Sequence, residues 1–206
     1  MFNNLLTLQL VTTDQLQLLR SLSMAVFPLK EEEWEAFSKP WNPVAVQRKE
    51  LITQGGQTEK YLYVVLEGIQ RVYYSDEQGR EATLVFTYAP SFGGVLDSFL
   101  LQQPSRYEYE ALTGSLLLRA SYTDIEQLMN EHKGIEVLVR KGVTIAMSGV
   151  LERLVELQSF SAEERFRTLL KRSPHILQLI PHKYLANYLG MDATNFSKLL
   201  NKIRID

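Results

Sequence analysis

Between Val44 and about Ser121 the sequence is a succession of short runs of β-branched and aromatic residues, each closed by glycine or polar turn residues. The runs are Glu50 to Thr53 before Gly55-Gly56, Tyr61 to Leu66, Ile69 to Tyr74, Ala82 to Tyr88, Tyr107 to Leu112 and Leu116 to Ala120. A polar turn, Ser75-Asp76-Glu77-Gln78-Gly79, separates the third from the fourth. Many short strands at this spacing predict an antiparallel barrel or roll.

Helical patterns flank this block. Thr13 to Ser21 and Lys30 to Ser38 precede it, with Trp34 and Phe37 on one apolar stripe. After it, Thr123 and Glu126 form a capping box predicted to open a short helix through Met129. From Gly134 to Phe160 no proline interrupts, and Val143, Met147, Val150, Leu154 and Leu157 are spaced 4, 3, 4, 3, the heptad seam of a coiled coil. Leu151 and Val155 lie beside the seam, so one long helix could face both a partner helix and the barrel. Arg140 ends the seam after about two heptads, which is short for a coiled coil standing alone. The alternative is one wide core-facing stripe on a monomer. The seam predicts a homodimer, because a two-fold axis lets one apolar row bury itself against its own copy.

Charge is distributed unevenly. Residues 162–206 carry eight Lys or Arg against four acids, a net +4, whereas the preceding residues carry 14 against 20, a net −6. A basic segment on an acidic body points to a polyanion partner. The chain has no cysteine, which excludes disulfides, cysteine-ligated zinc, iron–sulfur clusters and thiol catalysis. No apolar run reaches the roughly 18 residues of a membrane span, and the first 22 residues lack a secretory pattern, so the expected location is the cytoplasm with no membrane partner.

Ser161 and Glu164 form a second capping box, opening a helix that ends before Pro174. Beyond it, Pro181 suits a helix first turn, and Leu185, Tyr188 and Leu189 give that helix an apolar face. Ala186 is small enough for a close crossing, Gly190 can end the helix in the left-handed region, and Asp192 can cap the next one. In the second helix Phe196, Leu199, Leu200 and Ile203 fall on one face. Thr194, Asn195, Ser197, Lys198, Asn201 and Lys202 are left on the other. Two short helices joined by a glycine turn, the second polar and basic, fit a helix-turn-helix whose second helix enters the major groove of double-stranded DNA. The alternative is a purely structural helical hairpin. Lys198 and Asn201 are the foremost base-contacting candidates, while Lys183 and Lys202 are assigned to phosphates.

Taken together, Tyr63-Val-Val-Leu-Glu-Gly68 with Val72-Tyr-Tyr74, Gln103-Pro-Ser-Arg-Tyr107 with Glu110-Ala-Leu112, Ala162-Glu-Glu-Arg-Phe166, Tyr184-Leu-Ala-Asn-Tyr-Leu-Gly190 and Ser197-Lys198 resemble a known family. It is the cyclic-AMP receptor protein and fumarate–nitrate reduction regulator (Crp/Fnr) superfamily, in the short-tailed form common in Bacteroidetes. The resemblance implies an α+β chain. Residues 1–133 would form an antiparallel, jelly-roll type sensor β-roll with flanking helices, 134–160 a dimerisation helix, and 161–206 an all-α helix-turn-helix. It further implies a promoter-binding regulator, a near-palindromic operator, contact with RNA polymerase and a small-molecule effector.

Two departures from the family pattern shape the ligand expectation. Where the family's nucleotide binders place Gly-Glu and then Arg before a small residue, this chain has Gly93-Gly94 and Ser105-Arg106, followed by Tyr107. In an extended segment Ser105, Tyr107 and Tyr109 share one face and Arg106, Glu108 and Glu110 the other, so Arg106 is turned away from the pocket by default. Cyclic AMP is therefore not expected as a cofactor. The sequence also stops three residues after Ile203, leaving no room for the β-wing, so Lys183, Lys171 or Arg172 would supply backbone contacts. Two other functions were weighed. A cupin-like metalloenzyme needs histidines on the barrel, yet His132, His175 and His182 all follow it, so no catalytic residue is assigned. A ligand-binding or interaction module that has lost DNA binding is motivated by the missing wing.

Overall fold

The structure is a computed structural model that describes residues 10–202; Ile203, expected on the buried face of the last helix, lies outside them. Two helices come first, α1 (Thr13–Val26) and α2 (Glu31–Ser38). Thr12 caps α1 in a capping box with Gln15. Eight strands follow: β1 (Asn42–Val46), β2 (Leu51–Thr53), β3 (Tyr61–Glu67), β4 (Ile69–Ser75), β5 (Glu81–Tyr88), β6 (Ser91–Gly93), β7 (Glu108–Ala111) and β8 (Ser115–Ser121). One short helix, α3 (Leu96–Leu101), sits between β6 and β7. The strands form two four-stranded antiparallel sheets, β1-β8-β3-β6 and β2-β7-β4-β5, facing each other as a roll. After them come α4 (Tyr122–Glu131), α5 (Lys133–Ser159), α6 (Ala162–Arg172), α7 (Ile176–Leu179), α8 (His182–Tyr188) and α9 (Ala193–Lys202).

Three apolar clusters stack in order through these layers. Between the sheets lie Val46, Tyr63, Val65, Val72, Tyr109 and Leu117. On the outer face of the first sheet, Leu62, Val64 and Leu118 meet Leu19, Phe37, Ile125 and Ile135 of the flanking helices and Trp41 of the connection into β1. On the outer face of the second, Ile69 and Leu112 meet Phe166, Leu169, Leu185 and Phe196 of the C-terminal helices. Strands β3 and β4 are therefore covered on both faces, which is why they read as nearly continuous apolar runs rather than as clean alternation.

Two local expectations are corrected. The cap of α4 is Ser121, whose hydroxyl accepts from the Asp124 N–H; Thr123 lies inside the helix. The displacement follows from β8, which runs to Ser121 and hands over at once, with the Tyr122 N–H bonded to the Lys60 carbonyl at 2.9 Å. Helix α5 does not lay Leu151 and Val155 on the roll: they are 52% and 54% exposed. Only its first turns are packed, through Ile135 and Leu138, and only Arg153 and Glu156 are buried near its end. The stretch between them stands clear of the rest of the molecule.

Candidate functional site

The C-terminal helices form a compact head. Ser161 and Glu164 close a capping box at the start of α6, and α6 ends at Arg172 ahead of Pro174. Phe166 and Phe196 meet edge to face at 5.3 Å, locking α9 onto α6. Between α8 and α9 the chain reverses at Gly190, whose φ of +62° suits a residue without a Cβ, and the Met191 N–H donates to the Ala186 carbonyl at 3.0 Å. Asp192 then accepts from the Asn195 N–H at 2.8 Å, while the Asn195 amide donates to its other oxygen at 2.6 Å.

With Phe196 buried, Thr194, Asn195, Ser197, Lys198, Asn201 and Lys202 are all exposed. Lys198 and Asn201 carry no side-chain hydrogen bond to the described residues, so both are free to meet a partner. Ser197 bonds back to the Ala193 carbonyl, and Lys202 pairs with Glu163 of α6 at 2.8 Å. That bond, with the one from Arg167, holds the Glu163 carboxyl below the usual carboxylate range. Lys183 is exposed and lies over the Tyr184 ring at 4.5 Å. Of the other two basic residues considered, Lys171 is exposed, whereas Arg172 is tied to Glu156.

The head is docked on the roll through α8. The Asn187 amide accepts from the Thr83 N–H at 2.6 Å and donates to the Glu81 carbonyl at 2.7 Å, so one side chain satisfies the open edge of β5. Beneath Tyr184 lies a buried ion cluster. Arg71, 2% exposed, bonds Glu110 at 2.8 Å and Glu81 at 2.6 Å and stacks on the rings of Tyr73 and Tyr184. Lys49 reaches both Glu110, at 3.0 Å, and the Tyr184 hydroxyl. Burial opposes the charge on Glu110, yet bonds from Lys49 and Arg71 outweigh it and hold its carboxyl below the ordinary range. Burial also resists ionisation of Tyr184, but Lys49 and Lys183 beside it bring its phenol below the usual value.

In the roll, three of the residues assigned to a ligand, Gly93, Ser105 and Tyr107, are packed or bonded within the protein itself. Tyr109 is fully buried and hydrogen-bonds Thr87 at 2.9 Å, directly beneath Gly93, where an added Cβ would meet the Tyr109 hydroxyl at 2.5 Å. Gly94 adopts a φ of +116°, with the Glu59 carboxylate 3.9 Å from where its Cβ would be. Ser105 is buried and turned on its own backbone, bonded to the Tyr107 carbonyl and N–H at 2.7 and 2.9 Å. Arg106 is exposed, whereas Tyr107 packs against the inter-sheet cluster. Glu59, 2% exposed, accepts from the Thr53 hydroxyl and from the Tyr61 N–H at 3.1 Å. Burial pushes its carboxyl above the usual range despite these donors. Sequence reading missed Glu59, and with it Arg71, Lys49 and Asn187. The one available signal was the alternation of β4, which sets Arg71 on the same side as Ile69.

Residues 43–132 match the family model of the cyclic nucleotide-binding domain. No curated protein matches the sequence. Among solved structures the chain is similar to FixK2 from Bradyrhizobium japonicum, at 16% identity and a TM-score of 0.73 over 79% of this chain and 83% of that one. It is also similar to a regulator of the crp/fnr family from Eubacterium rectale, at 18% identity and a TM-score of 0.66 over 84% and 83% of the two chains. The catabolite activator protein of Thermus thermophilus matches at 21% identity and a TM-score of 0.53, over 85% and 84%. Residues 43–132 thus belong to the cyclic nucleotide-binding domain family, in a chain with the fold of Crp/Fnr-type regulators.

Proposed function

We propose that this chain is a homodimeric, DNA-binding transcription regulator whose roll does not take cyclic AMP. The observation that carries the reading is α9: a helix pinned by Phe196 to a helix-turn-helix core, with its opposite face wholly polar and its Lys198 and Asn201 unengaged. Dimerisation is supported by α5, where Met147, Val150, Leu154 and Leu157 are 43–57% exposed on a helix that touches little else. A second copy would cover them and set two α9 helices about one DNA turn apart. The test is fluorescence anisotropy on promoter-derived duplexes at low, stated salt, followed by footprinting. Absence of any binding to duplex DNA would favour an interaction module instead.

For the roll, a cyclic phosphate would bring a full negative charge to a place already held by Tyr109 and by the buried Glu59 carboxylate. Arg106, the nearest candidate cation in the sequence, is turned to solvent. An anion without a matched cation in such a site is costly. Calorimetry should therefore give no binding of cyclic AMP or cyclic GMP; a dissociation constant of about 10 micromolar or tighter would overturn this part of the reading.

A further inference from the structure

Bordering Gly94 through Glu59 and Tyr63, the roll opens into a cavity of about 540 Å³ walled by β1, β2, β3, β8 and the loop before β3. That volume suits a small organic ligand. Val46 and Ile52 supply apolar wall, and Tyr61 and Tyr63 supply aromatic surface, their rings 6.1 Å apart. Four charged side chains line it; Glu50 and Lys60 are exposed, and of the two that are withdrawn from solvent neither has an ionic partner among the described residues. One is Glu59, which is nearly sealed from solvent. The other is Arg119, half-buried and stacked over the Tyr61 ring at 4.5 Å. Strand pairing sets Arg119 directly opposite Tyr63. The Tyr63 side chain is 3% exposed, and its hydroxyl makes no hydrogen bond to the described residues. Burial pushes that phenol up, with Glu59 adding to the effect and Arg119 opposing it, so both charges act on the same hydroxyl.

A carboxylate and a guanidinium, neither ion-paired, flank one phenol, with aromatic and branched apolar side chains between. The complementary molecule has a carboxylate for Arg119, an ammonium for Glu59 and an apolar body for the tyrosines. We infer that this cavity is a ligand site of the roll, and that it binds a zwitterionic amino acid with an apolar or aromatic side chain. Such a ligand would supply the counter-ion that each wall charge lacks. A cyclic nucleotide, with one negative charge and no positive one, would leave Glu59 uncompensated. The inference does not depend on DNA binding.

The test is calorimetry on the full-length protein with L-phenylalanine and L-leucine, beside 2-phenylethylamine and 3-phenylpropanoate, which each keep only one of the two charges. At least one amino acid should bind, with 2-phenylethylamine and 3-phenylpropanoate each about tenfold weaker than L-phenylalanine. Arg119→Gln should bring L-phenylalanine down to the affinity of the amine, and Glu59→Gln down to that of the acid. Arg119 is half-exposed, so its replacement leaves the fold intact even if Glu59→Gln does not. No heat from either amino acid at low millimolar concentration would overturn the proposal. So would single-charge analogues binding as tightly as the zwitterion, or affinity for L-phenylalanine unchanged in Arg119→Gln. The experiment contains no DNA, so its failure leaves the regulator reading standing.

Discussion

Arg71 is the residue on which the roll and the C-terminal helices meet. It is sealed between two tyrosine rings and two carboxylates, so replacing it with methionine would leave Glu110 buried with Lys49 alone. Breaking a buried pair from one side typically costs about 3–5 kcal/mol, and Arg71→Met should lose stability on that scale in urea denaturation. The same cluster sets an acid limit. Because the folded-state pKa of Glu110 is lowered, its contribution is fully present above the unfolded value of about 4.3 and is lost as pH falls through the folded one. Denaturation curves at stepped pH below about 5 should show this loss, and Glu110→Gln should flatten it. None of this was legible residue by residue. Lys49, Arg71, Glu110 and Tyr184 are far apart in sequence, and only the pairing of β4 with β7 and the docking of α8 bring them together. Likewise Tyr63 and Arg119 become neighbours through the β3–β8 register, which no local pattern encodes.

At the scale of elements, legibility followed length and periodicity. Strands β3, β4 and β5 were found because seven or eight residues alternate or run apolar between clear turns. The three-residue β6 and the six-residue α3 were missed, since each spans fewer than two periods of its pattern. The polar face of α9 was fully readable, because Phe196 and its helical spacing decide which residues remain outside. Lys198→Ala should cost about 1–3 kcal/mol in operator affinity and relax sequence preference, measured by anisotropy on matched and mismatched duplexes. Lys183→Ala should lower the salt slope by about one unit. Lys202 is different from the sequence expectation in one respect: it is engaged by Glu163. Releasing it with Glu163→Gln should raise DNA affinity severalfold, and a decrease would show that the ion pair orients α9. On α5, Leu154→Glu should convert the proposed dimer to monomer in light scattering, because the charge would be buried there without a partner.

For the whole molecule, the four stacked layers matter more than the boundaries between segments. Residues 161–206 look in the sequence like an appendage, joined at Ser161 by a capped helix. Yet Ile69 and Leu112 of the second sheet are buried in the same cluster as Phe166, Leu185 and Phe196, with Phe86 and Tyr88 packed against it. A chain cut at residue 160 would bare that sheet face to water and should be prone to self-association, which sedimentation of the truncated protein would reveal. The shared cluster also bears on how heat takes the protein apart. Two modules on a string would melt in two steps, but here the C-terminal helices share their core with the second sheet. A differential scanning calorimetry trace of the full chain should show one endotherm, so that any event loosening the roll is felt at once by the C-terminal helices.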